Sequence, residues 1–242
     1  MSTKIAVIAD VHGNSTALLA ALNEIDKDHE IHHIYCIGDM VGIGYETNKV
    51  LEILFSRDDV SFVMGNHEEE ILAILEGEES SSQEGEKIHH EWLANRLEKR
   101  FIPHISGMPK QLSGVYEGKK LLFTHYHLDA EKQFIPIDTE PSIEKLDDFY
   151  KQSPFDLVCF GHHHPKHYFS SEERIYLNPG SLGCYDKPFA RYATILITTD
   201  DIKVELEEAA YNNQDFLKGY EVLEVPEKDF ILNTFHGNQH QN

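Results

Sequence analysis

The stretch His33-Ile34-Tyr35-Cys36-Ile37-Gly38-Asp39 decides how the rest of the chain is read. Apolar residues run into a glycine and then a carboxylate, the pattern of a buried strand with an acid at its C-terminal tip. In open α/β sheets ligands bind at that tip. Alone, Asp39 reads equally well as a turn former or a helix cap. Its meaning rests on what the other strand ends carry.

The pattern repeats outward from it. Lys4 to Ala9 reads as a strand ending in Asp10-Val11-His12-Gly13-Asn14. A helix from Ser15 to Lys27 follows, capped by Asn14 or Ser15, with Leu18, Leu19, Leu22 and Ile25 as its buried stripe. After Asp39 come a glycine-rich loop, Met40 to Tyr45, and a helix from Thr47 to Ser56. Val60 to Met64 is a strand ending in Gly65-Asn66-His67-Glu68, and a helix runs on to Leu75. Residues 76–87, acidic and rich in serine and glycine, read as a loop insertion, with helical spacing again from Ile88 to Lys99.

Beyond Val115 strands dominate. A hairpin leads to His125, and a helix spans Ser142 to Tyr150. Asp156 to Phe160 runs into Gly161-His162-His163-His164, Arg174 to Leu177 into Asn178-Pro179-Gly180-Ser181, and a last hairpin turns about Asp200-Asp201. With no linker between the halves, the chain predicts a single α/β domain over residues 1–235, with two packed sheets and helices outside. Residues 236–242 read as a polar, frayed tail.

Composition narrows the function. A chain of 242 residues buries a full core without staples. A net charge of −21 excludes a protein that tracks a nucleic-acid backbone, though not one that holds a small phosphorylated substrate through metal ions. The apolar run Ile5 to Ala9 is too short for a signal peptide, and no stretch has membrane-spanning length. Cys36, Cys159 and Cys184 lack paired spacing, which suits a reducing cytoplasm.

Five strand ends therefore carry Asp10-x-His12, Gly38-Asp39, Gly65-Asn66-His67, Thr124-His125 and Gly161-His162-x-His164. Each offers oxygen or imidazole, donors for a hard or borderline divalent metal. None offers cysteine, so a closed thiolate zinc site is not expected. Glycine suits both the break of the strand and close backbone approach.

In this order the five segments resemble the calcineurin-like metallophosphoesterases, and Asn178-Pro179-Gly180-Ser181-Leu182-Gly183 extends the resemblance to the bacterial and archaeal branch with small phosphodiesterases. The resemblance implies two mixed β-sheets packed as a sandwich, flanked by helices, with metals at the strand C-terminal ends. It implies that Asp10, His12, Asp39 and His164 hold one metal, and Asp39, Asn66, His125 and His162 the other, with Asp39 as the bridge. His67 would face the substrate and protonate the leaving oxygen, and Asn66 would also touch substrate. Two ions about 3.5–4 Å apart share a hydroxide and clamp an in-line displacement. Mn²⁺, Fe and Zn²⁺ all suit such donors.

The implied activity is a phosphoesterase acting on a small, possibly nucleotide-like, diester or monoester. Asymmetric hydrolysis of diadenosine polyphosphates and a non-catalytic binding scaffold are the alternatives. Related phosphoprotein phosphatases and symmetrical dinucleoside tetraphosphatases carry an Asp-Arg or Asn-Arg pair where this chain has Gly42 and Ile43. Tyr126, Arg191 and Lys187 are then candidate substrate contacts, and His89 and His90 read as exposed residues of a helix face.

Overall fold

The structure, a computed structural model, describes residues 2–78 and 84–241. The first half alternates β1 (Ser2–Ile8), α1 (Ser15–Ile25), β2 (Ile31–Cys36), α2 (Thr47–Phe55), β3 (Val60–Phe62), α3 (Asn66–Glu76), α4 (Glu84–Ala94) and α5 (Ile102–Ser106). The second half holds β4 (Gln111–Tyr116), β5 (Lys119–Thr124), α6 (Ile143–Tyr150), β6 (Leu157–Cys159), β7 (His167–Ser170), β8 (Ile175–Asn178), β9 (Phe189–Thr198) and β10 (Ile202–Ala210). It closes on α7 (Gln214–Val222) and α8 (Lys228–Thr234). The centre of the predicted insertion, 79–83, lies outside the described residues.

Two mixed five-stranded sheets form, in the orders β10-β9-β1-β2-β3 and β4-β5-β6-β8-β7. In each, three parallel strands sit together: β1, β2 and β3 in one, β5, β6 and β8 in the other. The alternation of side chains along β1 shows why the sheets pack. Ile5 and Val7 join Tyr35, Phe123, Leu157 and Ile195 in the core between the sheets. Ala6 and Ile8 face the other way, with Leu18 of α1 and Leu51 of α2. A strand buried on both faces has no polar alternation, hence its continuous apolar run. Tyr35 and Phe123 stack across the sandwich with ring centroids 3.6 Å apart.

Asn14 caps α1, its side chain accepting the Ala17 N–H at 3.0 Å. The buried stripe is Ala17, Leu18, Ala21, Leu22 and Ile25, while Leu19 is 47 % exposed, one step off the sheet-facing arc. β7, α5, α7 and α8 have no counterpart in the sequence reading. α7 and α8 bury Phe216, Leu217, Tyr220, Ile231 and Leu232 against Ile43 and Cys184, a face created only by the folded sheets.

The tail is docked rather than frayed at its start. His236 is 2 % exposed, its Nε2 3.1 Å from the Tyr220 hydroxyl, and the Gln239 amide donates to the Tyr185 carbonyl at 2.9 Å. Burial, then the charges of His164 and His240, hold His236 down to about 3. The unfolded chain binds this proton below the ordinary value of 6.5 and the folded chain does not, so stability falls as pH drops through 6.5. In urea titrations at pH 7 and pH 5, His236→Asn is expected to lose about 2 kcal/mol less stability between the two pH values than the parent. Equal losses would refute it.

Candidate metal centre

The parallel strands of both sheets deliver their C-terminal ends to one place. There the backbone leaves ordinary territory: Asp10, His12, Asp39, His162 and His164 have φ of 54°, 47°, 53°, 69° and 66°. Left-handed geometry disfavours L-residues by about 1–2 kcal/mol each and collects at functional sites. Two glycines make room. At Gly38, with φ of +93°, a Cβ would lie 2.7 Å from His125 Nδ1, and at Gly65 one would lie 2.2 Å from Asp39 Oδ1.

All seven predicted metal donors converge. His12 Nε2 lies 3.0 Å from His164 Nε2 and 3.9 Å from Asp10 Oδ1. His125 Nε2 lies 2.9 Å from Asn66 Oδ1, which is 2.8 Å from His162 Nδ1. Asp39 Oδ2 stands between the two groups, 3.9 Å from His12 Nε2 and 3.1 Å from His125 Nε2. His12 and His125 each turn Nδ1 to a backbone carbonyl, of Val41 at 3.1 Å and Ile37 at 3.0 Å. A carbonyl only accepts, so Nδ1 carries the hydrogen and Nε2 is the atom that faces the centre and would ligate a metal there.

The electrostatics ask for cations. Burial, against the pull of His125, pushes Asp10 up to about 7. Burial also pushes Asp39 up, but the imidazoles of His125 and His67 outweigh it and hold the carboxyl well below its usual range. Burial works against a charged His125, yet Asp39 holds it up to about 9, so without metal an imidazolium supplies the positive charge. His162 and His164 are held down to about 4, first by burial, which leaves them in the neutral form that ligates. Lone pairs of His12 and His164 facing each other are unfavourable unless a proton or cation lies between. The residues fit a centre for hard or borderline divalent ions. Cys184 departs from the sequence expectation: its sulfur and the ring nitrogens of His12 and His164 lie within 4.8 Å of one another. Burial raises its thiol pKa well above the usual value.

Three further residues escaped the sequence. Glu68, fully buried, accepts four backbone N–H bonds: Asp39 and Gly65 at 2.8 Å, Met40 at 2.7 Å and Val41 at 3.1 Å. His89 and His90, expected on an exposed helix face, are 4 % and 1 % exposed: His90 meets His67 of α3, and His89 Nδ1 lies 3.3 Å from the Pro226 carbonyl. His90 Nε2 lies 2.6 Å from His67 Nδ1, and its own Nδ1 is buried without a partner among the described residues. Burial outweighs Asp39 and pulls His67 down to about 3, so it is neutral in the metal-free protein, not protonated near pH 7.

A cavity of about 560 Å³ opens over this floor, reached by Asp39, Asn66, His67, His162 and His164. Tyr126 is not on its lining. It is 1 % exposed, its hydroxyl accepting the Asp138 N–H at 2.9 Å and 3.0 Å from His163 Nε2. Arg191 is not there either; its guanidinium lies over Tyr185 and donates to the His164 carbonyl at 3.2 Å. Lys187 is exposed and off the cavity. Packing behind the His164 loop uses the first two residues up.

A sequence model described as the calcineurin-like phosphoesterase superfamily domain matches residues 3–201. The chain belongs to that superfamily. An uncharacterized protein of Methanocaldococcus jannaschii is 27% identical to this phosphoesterase-family chain over 243 residues, covering 92% of it and 93% of the relative. Among solved structures, a hypothetical protein of Pyrococcus horikoshii superposes with a TM-score of 0.81 at 17% identity, covering 97% of this chain and 98% of the other. A metallophosphoesterase of Sphaerobacter thermophilus gives 0.71 at 18% identity, covering 95% and 96%. Both cover more of this chain than the residues that the superfamily model matches. No helix among the described residues is long and apolar enough to cross a membrane.

Proposed function

We propose that this protein is a phosphoesterase dependent on two divalent cations, Mn²⁺, Fe or Zn²⁺, hydrolysing small phosphodiesters of low charge. The observation that carries the proposal is the pair of donor groups sharing Asp39. Asp10, His12, Asp39 and His164 would hold one ion, and Asp39, Asn66, His125 and His162 the other. Bound there, the ions would polarise the phosphoryl oxygens and activate water for in-line attack. Asn66 contributes an uncharged oxygen, which limits the negative charge that an anionic ester meets.

His67 serves as the proton donor to the departing oxygen. The His67–His90 pair shares one hydrogen, and its placement follows from His90 Nδ1, which is buried and unpartnered among the described residues. An orphaned acceptor is more easily tolerated than an orphaned N–H. His90 therefore carries its hydrogen on Nε2 and donates to His67 Nδ1, and neutral His67 keeps its own hydrogen on Nε2. A phosphate anion seated against that N–H opposes the burial that disfavours the imidazolium. His67 then takes a proton from solvent on Nδ1 and donates it to His90 Nε2, His90 now carrying its hydrogen on Nδ1, and the Nε2 proton of the imidazolium goes to the departing oxygen.

The lining holds Asp39, Glu86 and Glu227 and no lysine or arginine among the described residues. Polyphosphate substrates carry several charges that this wall repels, which favours a monoanionic diester over diadenosine polyphosphates. Purified protein with Mn²⁺ is expected to hydrolyse bis(p-nitrophenyl) phosphate and to stop with chelator. His67→Ala should lower kcat by about 10²–10³-fold with bound metal unchanged. No turnover with any of the three metals would overturn the proposal and favour a binding scaffold; full activity in His67→Ala would remove His67 as the proton donor.

A further inference from the structure

The cavity has two chemically different parts. Its floor is the polar cluster at the strand ends; its upper wall is apolar. α8 and the residue just after it bring Phe230, Ile231 and Phe235, and the segment between β5 and α6 brings Ile137. Phe230 is 59 % and Ile137 48 % exposed, large apolar surfaces that a soluble chain keeps solvated at a cost of about 25 cal/mol per Å². The Phe235 ring centroid lies 5.5 Å from that of His164, so the apolar wall begins where the donor cluster ends.

The wall is rigid. Ile231 and Leu232 are 4 % and 5 % exposed, pinning α8 to Ile43 and Cys184, and the Tyr45 hydroxyl donates to the Phe216 carbonyl of α7 at 2.7 Å. Phe230 is therefore presented by a fixed element rather than left over on a loose one. Apart from Ile137, the residues named in the wall also lie beyond 201, where the matched superfamily domain stops.

We propose that Phe230, Phe235 and Ile137 form a subsite for a flat, apolar-faced organic group, a nucleobase or an aryl ring, carried on the phosphate. The subsite rests on the preceding proposal in one respect, that the phosphoryl group sits at Asp39 and His67. A phosphoester seated there has to place its organic group somewhere in the same cavity. The remaining lining offers the imidazole faces of His89 and His90, aliphatic surface from Ile43 and Ile231, and the exposed carboxylates of Glu86 and Glu227, with no lysine or arginine among the described residues. That chemistry accepts an uncharged planar group and rejects a second phosphate. Aromatic rings meet such groups in offset or edge-on contact.

Phenylphosphonate and methylphosphonate share a charged head and are not hydrolysed, so calorimetry on the Mn²⁺-loaded protein reads the subsite without turnover. Phenylphosphonate is expected to bind about tenfold more tightly, the scale of one aromatic contact with partial burial. Phe230→Ala should bring the ratio close to one while methylphosphonate affinity holds; Phe230 is exposed, so the variant folds. In kinetics, thymidine 5′-(p-nitrophenyl) phosphate and phenyl p-nitrophenyl phosphate should each exceed methyl p-nitrophenyl phosphate in kcat/KM through KM, and their ratio tells nucleobase from aryl. Equal phosphonate affinities, or a ratio that survives Phe230→Ala, overturn the subsite alone. If neither phosphonate binds and no diester is cleaved, the phosphoesterase proposal falls and the subsite with it.

Discussion

Asp39→Asn is expected to lower diester hydrolysis by about 10³-fold or more and to strip bound metal from the protein. The substitution is nearly isosteric. The carbonyl oxygen of Asn can still accept the His67 N–H that Asp39 Oδ1 accepts at 3.0 Å, so the turn survives. What disappears is the one negative charge set between the two donor groups, 3.1 Å from His125 Nε2 and 3.9 Å from His12 Nε2. An amide NH₂ in place of Oδ2 offers hydrogens where a cation needs a lone pair. Elemental analysis should show the metal loss, and a far-ultraviolet spectrum like the parent's should show the fold intact. Two ions retained together with activity would remove Asp39 from its proposed role.

Glu68→Ala should have the largest effect on stability, about 4 kcal/mol or more, measured by urea unfolding of the metal-free protein. Glu68 touches no cavity, yet its two oxygens close four backbone N–H groups on the turns bearing Asp39 and Asn66. Alanine leaves those donors buried and unpaired, each a penalty of about 1–3 kcal/mol before relaxation. Burial, with Asp39 nearby, raises its pKa to about 7, so the site itself resists the charge it holds. Glu68→Gln should fall between parent and Ala, because one amide group then points hydrogens at backbone donors. Metal affinity should drop in both variants, since the Asp39 turn loses its brace. A loss under about 1 kcal/mol for Ala would mean that the turns hold themselves.

The donor set was legible because its information is local. Asp10-x-His12, Gly38-Asp39 and Gly161-His162-x-His164 each end an apolar run, and a strand's direction alone sends its tip to the common edge. Other features depend on which faces meet after folding. His90 carries no local mark that separates a buried partner of His67 from a solvated helix residue. Glu68 was visible in Gly-Asn-His-Glu, but its four backbone partners come from two turns. Tyr126 and Arg191 were plausible contacts by type and proximity in sequence, and packing consumed both. α7 and α8 were missed because much of their apolar surface pairs with Ile43 and Cys184, not with a neighbouring strand.

The position of α8 has a consequence for the order in which the molecule is made. The last proposed ligand is His164, whereas Phe230 and Phe235, two of the three residues of the proposed subsite, come more than sixty residues later. During synthesis every proposed ligand leaves the ribosome well before Phe230 and Phe235. Under the two proposals, a nascent chain, or one clipped after β10, would hold every proposed ligand while lacking Phe230 and Phe235. Under those proposals, metal binding and ester choice draw on different stretches of the chain, the first complete at His164 and the second waiting on residues 230–235.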